Sequence, residues 1–102
     1  MNEYNKILRN KVAKSLEELG DEYNVCSLNK EETIEYLYSN LISSIYDIYN
    51  TKSLSSIVDS IDLLISIANQ YGFNEYELKN LRTKINNEMG TYSNKVISDS
   101  DK

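Results

Sequence analysis

The sequence has no histidine, proline or tryptophan, and holds one cysteine, three glycines and one phenylalanine among its 102 residues. The lack of histidine excludes Ser-His-Asp triads, cysteine–histidine nucleophile pairs and His–Cys zinc sites. Cys26 stands alone, so it forms no internal disulfide. The absence of proline and scarcity of glycine remove the main breakers of regular structure, which favours long helices over turn-rich sheets. No apolar run approaches the roughly 20 residues that a membrane span needs. The opening M-N-E-Y-N-K lacks the apolar stretch of a secretion signal, so a cytoplasmic location is expected.

What remains is 40% hydrophobic and 26% charged, with a net charge of −5. That balance fits one soluble domain with a modest core, expected over residues 1–98, followed by a polar tail at 99–102. An acidic surface argues against binding extended nucleic acid, which needs a basic one. A small anion held by a local basic cluster stays open. Nine tyrosines sit beside abundant Asn, Lys, Ile and Ser, the pattern of an AT-rich coding sequence.

Hydrophobic spacing predicts four helices. Val12, Leu16 and Leu19 mark a first helix over about residues 10–19, with Gly20 as a left-handed cap. Residues 21–28 read as an extended connection. Asn29 and Glu32 form a capping-box pattern ahead of an apolar stripe of Ile34, Leu37, Leu41, Ile45 and Ile48. Ser53 caps a third helix whose apolar face, from Leu54 to Ala68, is wider still, so it is expected to be the most buried. After Gly72, Asn74 and Glu77 repeat the capping box, and Leu78, Leu81 and Ile85 carry a fourth helix to about Met89. Residues 90–98 read as an irregular arm. The expected architecture is an all-α four-helix bundle. The middle helices look too apolar for a small monomer, and their association as a homodimer or higher homo-oligomer would cover the excess.

Three segments, in order, carry a resemblance. From Tyr4 the chain reads Y-N-K-I-L-R-N-K-V; the second helix carries L-I-S-S-I-Y-D and the third S-I-V-D; and M-G-T-Y follows the fourth. This arrangement resembles the MazG-like, or phosphoribosyl-ATP pyrophosphohydrolase-like, nucleotide pyrophosphohydrolases over nearly the whole chain. The resemblance implies Glu-Glu-x-x-Glu on one helix and Glu-x-x-Asp on the next. Such spacing converges carboxylates on Mg²⁺, which bridges pyrophosphate oxygens. Here Ser43, Ser44 and Ser56 stand where glutamates are implied, while Asp47 and Asp59 remain and Asp62 adds a carboxylate one turn on. A serine hydroxyl is a weak, neutral ligand. No catalytic or metal residues are therefore expected, and Asp47, Asp59 and Asp62 are the residual candidates for a weak Mg²⁺ site.

The first motif keeps Lys6, Arg9 and Lys11, a basic cluster suited to phosphate. Tyr46 could stack on a base. Lys84 lies near the last motif, in which Tyr92 keeps an aromatic ring but Met89 replaces an arginine. These residues, with Ser43, Ser44, Asp47, Ser56 and Asp59, make the expected ligand site. The reading is an inactive relative of the enzymes that sequesters a small phosphorylated nucleotide signal, such as an ADP-ribose derivative or cyclic nucleotide, without a cofactor. A sponge made by a phage against bacterial immunity fits that role. Two alternatives stand beside it. One is a weakly active Mg²⁺-dependent nucleoside triphosphate pyrophosphohydrolase, and the other is a helical adaptor for another protein.

Overall fold

The computed structural model describes residues 6–20 and 24–98. Tyr4 of the first motif, part of the connection at 21–28 and the tail at 99–102 lie outside the described residues. Within them the fold is all-α, with four helices and no strand: α1 (Asn10–Glu18), α2 (Lys30–Thr51), α3 (Leu54–Gln70) and α4 (Glu75–Met89). None is long and apolar enough to cross a membrane.

The helix ends follow the local chemistry. At the start of α2, the Asn29 side chain accepts the Glu32 N–H at 2.8 Å, and the Glu32 carboxylate accepts the Asn29 N–H at 3.1 Å. Two otherwise unpaired donors are thereby satisfied. Asn74 and Glu77 do the same for α4, at 2.8 and 2.9 Å. Ser53 caps α3 by accepting the Ser56 N–H at 3.1 Å. Gly72, at φ +90°, ends α3, and the Phe73 N–H returns to the Ala68 carbonyl at 3.0 Å.

The end of α2 differs from the usual glycine stop. Lys52 takes the left-handed conformation at φ 54°, which costs a residue with a Cβ about 1–2 kcal/mol. Its N–H bonds the Ile48 carbonyl at 2.8 Å, its ammonium bonds the Tyr49 carbonyl at 2.8 Å, and the ammonium lies 5.4 Å from the Tyr49 ring centre. These contacts offset the strain and let α3 turn back after only two residues.

The packed unit is the antiparallel hairpin of α2 and α3. Leu37 and Ile67 are its buried apolar side chains, and Ser44 and Ser60 are buried between the helices. Small residues at that crossing let the backbones approach. At the open end of the hairpin, the Lys30 ammonium bonds the Gln70 carbonyl at 2.6 Å and the Tyr38 and Tyr71 hydroxyls meet at 2.6 Å. Among the described helices, α4 packs on α3 alone. As expected, α3 is the most buried helix: a larger share of its residues is buried or half-buried than in any other helix, although Leu54, Ile61 and Leu64 stay at least half exposed.

Candidate functional site

One face of the hairpin, together with the strand-like segment before α1, encloses an open cavity of about 390 Å³. That size lies within the range of small-molecule sites. On α2 it is lined by Asn40, Ser43, Ser44 and Asp47, which recur at three- and four-residue steps and so share a helical face. On α3 it is lined by Asp59, Asp62, Leu63, Ser66 and Gln70. The segment from Lys6 to Arg9 closes one side, tethered where the Ile7 N–H bonds the Asn40 side-chain oxygen at 3.3 Å.

Arg9, at the N-cap of α1, is the main tie between α1 and the hairpin. One terminal nitrogen bonds Asp59 at 2.7 Å and the other bonds Asp62 at 2.8 Å. The two carboxylates sit one turn apart on α3, a spacing the guanidinium fork spans. Hydrogen bonds that Arg9 donates to Asp59, then to Asp62, hold its pKa above its ordinary value. The ion pairs are solvent-exposed, so their worth lies in geometry rather than stability. A guanidinium has five N–H donors. Among the described residues two are engaged, which leaves three to meet an anion.

Ser44 and Ser60 form a buried polar relay at the cavity floor. Their hydroxyls meet at 2.7 Å, and Ser44 donates to the Ser56 carbonyl at 3.2 Å. A single hydroxyl has one proton, so Ser60 is the donor to Ser44. The Ser44 hydroxyl is thereby committed to holding the helices together. Ser43, its neighbour, is exposed and faces the cavity.

Of the expected site residues, Lys6, Arg9, Ser43, Ser44, Asp47 and Asp59 come together at this cavity, whereas Lys11, Tyr46, Ser56, Lys84 and Tyr92 do not line it. Tyr46 points away from α3 and is 66% exposed, and Tyr92 is fully exposed in the terminal arm. Lys84 pairs with Glu88 at 3.4 Å on α4. Ser56 serves the start of α3, its hydroxyl receiving a bond from Ser53 at 3.3 Å. Asn40, Ser66 and Gln70 line the cavity without having been singled out. The available signal was the polar stripe that flanks each apolar stripe at helical spacing.

The resemblance implies magnesium, and the residues present do not fit it. Asp59 and Asp62 are spanned by Arg9, and among the described residues no three acidic, histidine or cysteine side chains converge as a metal cluster would need. Compared with protein-family models, curated proteins and solved structures, the chain matches none. The likeness to nucleotide pyrophosphohydrolases rests on the motifs quoted above.

Proposed function

We propose that the protein binds a small phosphorylated nucleotide and holds it uncleaved, as a homo-oligomer in a bacterial cytoplasm. The observation that carries this reading is Arg9, anchored by Asp59 and Asp62 at the mouth of the cavity with three donors still free among the described residues. A phosphate accepts from such a fork in charge-assisted hydrogen bonds. Lys6 adds a second positive charge. Asp47, whose carboxylate has no ion partner among the described residues, faces the same space and can accept from sugar hydroxyls. Asn40, Ser43 and Gln70 supply neutral polar contacts. Donors for phosphate beside acceptors for hydroxyls match a ribose phosphate better than an inorganic anion. The carboxylates that would seat a divalent ion are taken up in orienting Arg9, which supports retention over hydrolysis. The phage-sponge role is the setting in which retention without turnover has the clearest use.

Isothermal titration calorimetry against ADP-ribose, ATP and cyclic dinucleotides tests the reading. One member of the panel binds once per chain, and Arg9→Ala weakens it roughly tenfold or more, the scale of a lost charged hydrogen bond. The bound nucleotide is recovered intact on heating, by chromatography. Absence of binding across the panel ends the proposal. Magnesium-dependent release of pyrophosphate, lost in Asp59→Ala, replaces it with the hydrolase alternative.

A further inference from the structure

The charges around the cavity do not balance. Its lining holds two cations, Lys6 and Arg9, against three carboxylates, Asp47, Asp59 and Asp62, which leaves a net charge of −1. Glu75, at the start of α4, lines the adjoining cleft with Arg9 and Asp62 and adds a further negative charge beside them. The lysines of the hairpin do not redress this. Lys30 is held on the Gln70 carbonyl at 2.6 Å, and Lys52 on the Tyr49 carbonyl at the other end. Neither lines the cavity.

Distance sharpens the point. Arg9 Nη2 lies 2.7 Å from Asp59 Oδ1, and Nη1 lies 2.8 Å from Asp62 Oδ2. An anion oxygen bonded to either nitrogen at about 2.9 Å sits within about 6 Å of that carboxylate oxygen, because the two bonds share the nitrogen. At such a separation, like charges repel strongly enough to change binding several-fold per unit charge even in a watery dielectric. Phosphates differ in how much of this they suffer. A terminal phosphate carries about −1.5 to −2 at pH 7. An internal phosphate, esterified on both sides, carries a single charge and still offers two free oxygens to a guanidinium fork.

We infer that the cavity selects phosphodiesters and internal pyrophosphates over terminal phosphates, with Asp47, Asp59 and Asp62 setting the choice. The inference rests on the nucleotide-binding reading above and narrows its ligand. The positive charge of Arg9 is already compensated by its two carboxylates, so Arg9 recognises phosphate through its remaining donors more than through its charge. Asp47 has no ion partner among the described residues and faces the same space. It accepts from a sugar hydroxyl and repels a second charge on the phosphate. The selected ligands have every phosphate esterified on both sides, as in a cyclic nucleotide or a nucleoside joined to a sugar through pyrophosphate. Nucleoside mono-, di- and triphosphates end in a terminal group and are disfavoured, the triphosphates most.

Calorimetry with matched pairs, in the absence of divalent ions, tests this filter. The pairs are 3′,5′-cyclic AMP against AMP, ADP-ribose against ADP, and cyclic di-AMP against its linear 5′-phosphorylated form. In whichever pair binds, the fully esterified member is held roughly tenfold or more tightly than its counterpart. Asp62→Asn keeps an acceptor for Arg9 and removes one charge, and Asp47→Asn removes one without touching Arg9. Each narrows the preference several-fold by tightening the terminal-phosphate member. Raising the ionic strength narrows it too, because exposed charges are screened. Should Asp62→Asn lose its helical circular dichroism, Asp47→Asn supplies the reading. Equal affinities within a pair, tighter binding of the terminal phosphate, or a preference that the variants leave unchanged overturns the filter and leaves the nucleotide reading in place. No binding by any compound of the panel ends the nucleotide reading, and the filter with it.

Discussion

The two faces of the α2–α3 hairpin are built from helices of the same origin and behave in opposite ways. On the cavity face, Arg9 is held by Asp59 and Asp62 and the Ile7 N–H by Asn40, so several of its polar groups are paired within the chain. On the opposite face, Ile42, Ile45, Ile61 and Leu64 stay at least half exposed. A polar face can be complete alone because water finishes what the protein leaves unpaired. An apolar face cannot, since only another apolar surface removes it from water. The difference is that water completes the first face and leaves the second with an unfavourable exposed apolar surface.

The line between the faces gives the largest expected effect. Ser43 and Ser44 are adjacent in sequence, and both stand where the resemblance implies glutamate. Ser44 is buried against Ser60, whereas Ser43 opens into the cavity. Ser44→Glu places a carboxylate in the helix crossing with no cation beside it, and an unpaired buried charge costs about 3–5 kcal/mol. Urea unfolding is expected to show a loss of that order, with Ser43→Glu close to the parent. Equal behaviour of the two would erase the boundary between floor and mouth.

A smaller effect is expected at the shared core. Ile67→Ala removes one of the buried apolar side chains and is expected to cost about 2–5 kcal/mol in the same measurement. It acts on the packing between α2 and α3, so the melting temperature falls with it. A melting temperature equal to the parent's would show that Ile67 is not part of the hairpin core.

The smallest effect concerns the clamp at the open end of the hairpin. The Tyr38 hydroxyl bond, then partial burial, raises the Tyr71 pKa from its usual 10.0. A raised folded-state pKa contributes stability that is fully present below the unfolded value, about 10, and is lost as pH rises through the folded value. Tyr38→Phe is expected to lower the pH at which Tyr71 ionises, followed by tyrosinate absorbance, and to flatten the fall in stability at alkaline pH. An unchanged titration would mean that the hydroxyl pair does not form in solution.

Much of this was legible in the sequence. The capping boxes at Asn29 and Asn74, the Ser53 cap and the glycine stop at Gly72 act through neighbours within a few positions, so local chemistry sets the helix ends. The left-handed Lys52 was not legible, because it depends on reaching Tyr49 and Ile48 from outside the helix. The cavity was partly legible. Arg9, Ser43, Asp47 and Asp59 came from motif spacing, and they meet in the fold. Lys84 and Tyr92 came from the same motif logic and lie elsewhere, because α4 leaves the hairpin instead of folding back along it.

The sequence by itself determined that the chain is helical, where its helices begin and end, and that the middle pair carries more apolar surface than one short chain can hide. These follow from periodicity and from contacts three or four residues apart. The tertiary structure alone decided that Ser44 is floor and Ser43 is mouth, that Arg9 is spanned by two carboxylates some fifty residues away, and that Ile42, Ile45, Ile61 and Leu64 lie outside the cavity. Those facts depend on how the hairpin is rotated about its own axis, which residues distant in sequence settle together.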